Sequence, residues 1–350
     1  MQMTFRWYNS TDAVKLEQIR QMPYVKGIVT AVYDIPVGEV WTPEAIAAIK
    51  KPIADAGLTF EVIESVPVHE DIKLGLPSRD RLIDNYCTTI RNLGAEGVKC
   101  ICYNFMPVFD WLRSDLSHEL PDGSKCLSFD NETVLALNPA TTELSLPGWD
   151  ESYTHAELLD LLKQYESIDE EKLWENLGYF LNRIIPVCEE VGIKMAIHPD
   201  DPPWGIFGLP RIITSRDALD RLCNLVDSPS NGITLCFGSL GCSPKNDMVK
   251  IAAEFAKRDR IPFVHARNIH ISENSCFEES AHLSECGSLD MYEILEALYE
   301  NGFDGYIRPD HGRNIWGENG RPGYGLYDRA LGAAYVCGLW EAIEKAHKTN

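Results

Sequence analysis

The stretch Ile-Lys-Met-Ala-Ile-His-Pro-Asp-Asp, residues 193–201, is a short β-rich run that ends abruptly at a histidine followed by proline. Three later runs are similarly short and β-rich: Gly-Ile-Thr-Leu-Cys-Phe at 232–237, Pro-Phe-Val-His-Ala-Arg-Asn at 262–268 and Gly-Tyr-Ile-Arg-Pro-Asp-His at 305–311. Each is almost continuously apolar, as suits parallel strands covered on both faces. Each also places a possible metal ligand at its carboxyl end: His198, Cys236, His265 and Asp310.

Working outward, four similar runs precede these, at Thr4 to Tyr8, Val25 to Val32, Leu58 to Ile63 and Val98 to Phe105. The inner runs are separated by helical patterns. Pro43 to Ala56 has Thr42 as N-cap and Gly57 as stop, Arg79 to Leu93 has Ser78 as cap, and Glu171 to Val191 closes at Gly192. Eight strand–helix units predict an α/β fold, a (β/α)8 TIM barrel spanning 1–350 as one domain, with a doubly wound open sheet as the rival. Residues 106–170, with Pro107, Pro121, Pro139 and Pro147, are too long for an ordinary loop. Following the fourth strand, they are expected to form a cap-like insertion over the catalytic face.

Composition narrows the function. A formal charge of −21 opposes a nucleic-acid partner, which needs a basic surface to displace counterions. With 45% hydrophobic and 24% charged residues the chain has the balance of a globular protein. No apolar run reaches transmembrane length and no signal-like amino terminus is visible, so no membrane association is expected. The 11 cysteines show no CxxC pairing or framework. Reduced thiols in a cytoplasm are the expectation, most of them acting as small buried hydrophobes.

In a TIM barrel the carboxyl ends of the strands converge on the active face. Two imidazoles, one thiolate and one carboxylate gathered there suit a divalent ion, with zinc, manganese, iron(II) and cobalt(II) all open on ligand chemistry. Strand periodicity puts Arg267 on the face of His265 and Arg308 on that of Asp310. Each guanidinium either receives a substrate carboxylate or pairs with a barrel acid such as Glu64. His311 follows Asp310 directly, and Tyr324 lies within Arg321-Pro-Gly-Tyr-Gly325. The glycines and proline there describe a tight, exposed loop on which a tyrosine has no packing reason to sit.

The sequence resembles the mannonate dehydratases of hexuronate breakdown. The matching segments are FRWYN (5–9), VIESVPVHEDIK (62–73), CYNFMPVFDW (102–111), LPDGSK (120–125), IHPDDPP (197–203), GLPRI (208–212), AHLSECGSLDMYE (281–293), RPDHG (308–312) and PGYG (322–325). The resemblance implies a xylose isomerase-like barrel that converts D-mannonate to 2-keto-3-deoxy-D-gluconate and water. It implies Mn²⁺, with Fe²⁺ or Co²⁺ as alternatives, on His198, Cys236, His265 and Asp310, and acid–base roles for His311 and Tyr324; Asp310 is counted with them as catalytic, orienting the metal. It implies a small sugar-acid substrate, and barrels of this kind often associate, so a homodimer or higher oligomer is expected. Asn9, where glycine usually follows the Trp-Tyr pair, and Glu278, where histidine is usual, depart from the family pattern. A metal-dependent sugar isomerase or epimerase would favour more carboxylate ligands. A non-catalytic sugar-acid sensor would have little use for His311 and Tyr324.

Overall fold

A computed structural model describes residues 1–137, 154–273 and 275–348. Its strands are Gln2–Arg6 (β1), Gly27–Thr30 (β2), Thr59–Glu64 (β3), Cys100–Tyr103 (β4), Asp115–Glu119 (β5), Lys125–Phe129 (β6), Lys194–Ile197 (β7), Asn231–Cys236 (β8), Phe263–Ala266 (β9), Ile269–Ile271 (β10), Phe277–Glu279 (β11) and Tyr306–Pro309 (β12). Eight of them close a barrel in the order β1-β12-β9-β8-β7-β4-β3-β2, every pair parallel. This is the (β/α)8 architecture expected from the eight runs, and the open-sheet rival falls. Cys87, Cys100, Cys102, Cys126, Cys188, Cys223, Cys236 and Cys242 are buried free thiols.

The alternation of side chains across each strand builds two apolar layers. Val29, Val62, Cys100, Cys102, Ala196 and Phe263 point inward and form their own cluster inside the barrel. The residues between them face the surrounding helices and join the larger core. One inward step further along the strands from Val62, Ala196 and Phe263 come Glu64, His198 and His265. The barrel therefore changes from a dry plug to a polar mouth within two residues, because the strands end there.

The helices follow the local signals. Thr42 caps Pro43–Asp55 by accepting from the Ala45 amide at 3.3 Å. The long helix Glu170–Val191 starts at Asp169, whose carboxylate takes the Lys172 amide at 2.8 Å, and ends at Gly192 with φ of 69°. Ser78 does not cap Arg79–Ala95 as expected. It sits in helical backbone geometry and its hydroxyl donates to Asp71 instead.

The run 262–269 is not one strand. It leaves the barrel after Ala266 and resumes as β10, which pairs antiparallel with β11. β11 pairs with β6, and β6 with β5, giving a second sheet in the order β10-β11-β6-β5. Segments inserted after β4 and after β9 thus knit together, with Phe129 stacked on Phe277 at 5.4 Å. Pro139 and Pro147 of the expected insertion lie outside the described residues.

Phe180 ties the helix layer to the barrel. It is fully buried, meets Tyr86 edge-on at 5.0 Å and approaches Tyr103 and Phe105 at 6.0 Å each. Replacing it with alanine removes these contacts and leaves a cavity between rigid elements, so Phe180→Ala is expected to cost about 3–5 kcal/mol. Urea titration followed by tryptophan fluorescence measures this, and a loss below about 1 kcal/mol would mean that the helix layer collapses around the gap.

Candidate active site

The mouth of the barrel opens into a cavity of about 790 Å³. His198, Arg308, Asp310, His311 and Tyr324 border it, as do Asp110, Trp111 and Leu116 from the segment after β4.

His198, Cys236 and His265 each offer a donor atom, and these atoms lie within 4.8 Å of one another. His198 directs its Nδ1 at the Pro199 carbonyl, 2.7 Å away, which leaves Nε2 for the cavity side. Cys236 ends β8 and begins the short helix Phe237–Gly241, where its sulfur takes the Ser239 hydroxyl at 3.0 Å. His265 is buried, and neither ring nitrogen makes a hydrogen bond of ordinary geometry. Its Nε2 lies 3.3 Å from Glu64 Oε2 and its Nδ1 3.9 Å from Asp310 Oδ2, and a buried imidazole so poorly partnered is costly unless something else takes a lone pair. That observation, with the S/N/N donor set, fits a divalent cation.

Electrostatics agree. Burial resists ionisation of Cys236, but the Arg267 guanidinium and a hydrogen bond from His198 outweigh it and hold the thiol well below its ordinary value. Burial likewise disfavours a charged His198, yet the hydrogen bond and negative charge at Cys236 raise it to about 9. The two form a thiolate–imidazolium pair, and a cation would displace the imidazolium proton.

Asp310 stands beside this trio. Its Oδ2 is 3.6 Å from the Cys236 sulfur and 3.9 Å from His265 Nδ1. Both oxygens are already engaged, Oδ1 with Arg308 at 2.8 Å and Oδ2 with Arg267 at 2.9 Å. A second trio of Glu64, Cys102 and His265 has similar spacing. There Arg308 grips both Glu64 oxygens, at 2.9 and 2.8 Å, and burial pushes the Cys102 thiol well above its usual range. With its carboxylate occupied and its sulfur protonated, this trio is poorly suited to a cation.

The two arginines singled out by periodicity part company. Arg308 borders the cavity while holding Glu64 and Asp310. Arg267 is fully buried among Asp201, Glu279 and Asp310 and does not border the cavity. Arg321, which sequence periodicity could not reach because it lies on a loop, does border it. Its guanidinium rests over the Tyr8 ring at 4.3 Å.

His311 and Tyr324 meet directly, Nε2 to phenol oxygen at 3.0 Å. The loop carrying Tyr324 is tight, but the tyrosine is buried, edge-on to Tyr8 and to His311 at 5.0 Å each. Gly323 permits this at φ of 76°, where any Cβ would meet Leu127 at 2.7 Å. Burial, then the nearness of Tyr8 and Asp310, pushes the Tyr324 phenol well above its ordinary value. It stays protonated at neutral pH. The other His311 nitrogen, Nδ1, is 3.0 Å from Glu279 Oε1. Burial opposes ionisation of Glu279, but Arg267, His311 and Arg113 hold it at about 2.

The D-mannonate dehydratase (UxuA) family model matches residues 1–350. The mannonate dehydratase of Streptococcus uberis is 62% identical over 348 residues, covering 99% of this chain and 100% of the relative. That of Lactococcus lactis subsp. cremoris is 58% identical over 356 residues, covering 99% of each. The crystal structure of mannonate dehydratase from Streptococcus suis serotype 2 superposes with a TM-score of 0.93 at 51% identity, covering 99% of this chain and 96% of that one. A xylose isomerase-like TIM barrel protein from Mycobacterium smegmatis, 12% identical with a TM-score of 0.54 over 94% of this chain and 87% of that one, shares the fold alone.

Arg113 offers a test of the charges behind the site. It is fully buried, paired with Asp201 at 2.8 Å and Glu279 at 2.9 Å, and does not border the cavity. Arg113→Met leaves two acids sharing Arg267, at an expected cost of about 3–5 kcal/mol. A carboxyl depressed to about 2 stabilises the native state above its unfolded value and loses that contribution as pH falls through the folded one. Removing the cation raises the folded value, so acid unfolding, followed by circular dichroism, should move to higher pH. An unchanged acid midpoint would mean that Arg267 alone holds both acids.

Proposed function

The chain belongs to the D-mannonate dehydratase family and is a hydro-lyase, and on that premise we propose that it converts D-mannonate to 2-keto-3-deoxy-D-gluconate and water with a divalent metal, Mn²⁺ foremost. The observation that carries the reading is the His311–Tyr324 pair, 3.0 Å apart, on the same cavity as the donor trio.

The reaction removes the C2 proton and the C3 hydroxyl. His311 Nε2 is the group assigned to the C2 proton, being the only imidazole nitrogen hydrogen-bonded to the phenol among the described residues. Tyr324, kept protonated by its burial, is the donor to the departing hydroxyl. Arg308 presents a cation at the cavity wall, and Arg321 a second one on the loop, to the acid end of the substrate. Arg267, enclosed by acids, is assigned to holding Asp310 and Cys236 in their charged forms. His198, Cys236 and His265, with Asp310 alongside, are the residues that would hold the cation. When bound, the cation supplies Lewis-acid stabilisation of negative charge on substrate oxygens, worth several kcal/mol.

The segment at 106–170 is read as a cap, supported by Trp111 and Leu116 on the cavity wall. A cytoplasmic setting is supported by the buried free thiols of Cys87, Cys100, Cys102, Cys126, Cys188, Cys223, Cys236 and Cys242. No described helix is long and apolar enough to cross a membrane. A homo-oligomer remains part of the reading from the family resemblance.

If the trio holds the ion, Cys236→Ser and His265→Ala should purify folded but metal-poor, as read by elemental analysis after chelator washing. Wild-type metal content in both would remove these residues from the site.

With D-mannonate and Mn²⁺ the product is expected to be 2-keto-3-deoxygluconate, carrying one deuteron at C3 when formed in heavy water. Chelation should abolish turnover and neutral aldoses should be inert. Tyr324→Phe should lower kcat by about two orders of magnitude with metal content unchanged. An isomerised product that keeps every oxygen would instead favour the isomerase, and saturable binding without product the sensor.

A further inference from the structure

Glu279 reaches the site from outside the barrel, as the last residue of β11 in the small sheet. It is fully buried. One oxygen, Oε1, receives Arg113 Nη2 at 2.9 Å, Arg267 Nη1 and the His311 ring at 3.0 Å. An ionised carboxylate can only accept, so the His311 nitrogen facing it must carry the hydrogen. That nitrogen is Nδ1. In the neutral ring Nε2 is then left with a lone pair, and the atom it meets at 3.0 Å is the Tyr324 hydroxyl, which can donate, with Asp310 Oδ1 farther off at 3.9 Å.

We propose that Glu279 is a positioning residue for His311, fixing the ring as its Nδ1–H tautomer so that Nε2 faces Tyr324 and the cavity as a proton acceptor. The proposal rests on the reading of His311 as the base. The two arginines keep Glu279 in place and ionised, and their own charges are balanced by Asp201 and Asp310. The ring itself is wedged by Trp111 at 5.1 Å and Tyr324 at 5.0 Å, so the carboxylate selects which nitrogen is protonated rather than merely where the ring lies. In this arrangement the small sheet contributes to the chemistry: its strand β11 supplies the group that sets the tautomer, although Glu279 does not border the cavity.

The direct test needs no change at Glu279. In full-length protein labelled with ¹⁵N-histidine and loaded with Zn²⁺ as a diamagnetic probe, the His311 signals are identified by their loss in His311→Asn. At pH 8 they should show a protonated Nδ1 and a bare Nε2. An Nε2–H ring, or one protonated on both nitrogens, would overturn the proposal. The kinetic test uses Mn²⁺ and D-mannonate. Glu279→Gln should lower kcat about 10- to 100-fold, the range typical of losing a group that orients a reacting histidine, with KM within about threefold and bound metal unchanged. Combined with His311→Asn it should cost nothing beyond His311→Asn alone, whereas a purely structural role would multiply the two losses. A kcat for Glu279→Gln within about threefold of wild type, beside an inactive His311→Asn, would overturn the role of Glu279 and leave the base assignment standing. Turnover retained in His311→Asn would overturn the base assignment and this role with it. If Glu279→Gln does not fold, the tautomer measured in the wild-type chain decides.

Discussion

Three guanidinium groups, those of Arg113, Arg267 and Arg308, sit almost completely out of reach of solvent at the mouth of the barrel. A buried cation is tolerable only beside an anion that also satisfies its hydrogens. Asp201, Glu279, Asp310 and Glu64 meet that demand, each shared or gripped at hydrogen-bonding distance. The remaining geometry follows from this mutual neutralisation. Asp310 lies against the Cys236 sulfur because two arginines hold it there, and the sulfur can be a thiolate because Arg267 is close.

The same constraint separates two kinds of residue that look alike in a strand. Both arginines end inward-facing positions, but Arg308 opens on the cavity and Arg267 does not. Packing explains the difference. Gly238, just after Cys236, has no side chain, and a Cβ there would lie 2.5 Å from Arg267 Nε. The guanidinium fills the space that the glycine vacates, behind the site rather than in it. Arg321 has no such enclosure and lies over an aromatic ring, free to address a ligand from the loop side.

Much of the barrel was legible because parallel strands buried on both faces leave continuous apolar runs. The candidate donors were legible for a related reason: strand ends converge, so His198, Cys236 and His265 could be placed together without knowing any helix geometry. What the pattern could not convey lies off the strands. Run 262–269 conceals a break, since Arg267 and Asn268 are as compatible with extended backbone as with a turn out of the barrel. The Tyr324 loop looked exposed from its glycines, yet Gly323 serves a close approach to Leu127 and Gly325 one to Glu318, and the ring is buried. Glu279 left no local signature at all. Its partners are 166, 12 and 32 residues distant, and only the second sheet brings them together. Ser78 shows the converse, a good capping residue whose hydroxyl is claimed by Asp71.

The second sheet is stitched from two insertions that the chain makes far apart, with Phe129 opposite Phe277, and the barrel itself closes by pairing Gln2 with Tyr306. On a ribosome, β5 and β6 emerge long before their partner strand exists. They must wait as an unpaired hairpin edge, exposed to any other nascent chain, until some 148 further residues have been made, from 129 to 277. The edge of β1 waits longer still. Vectorial synthesis therefore completes the site last: Arg267, Glu279, Asp310, His311 and Tyr324 all lie in the final third of the chain, and no truncated translation product that lacks it can hold the buried charges in balance.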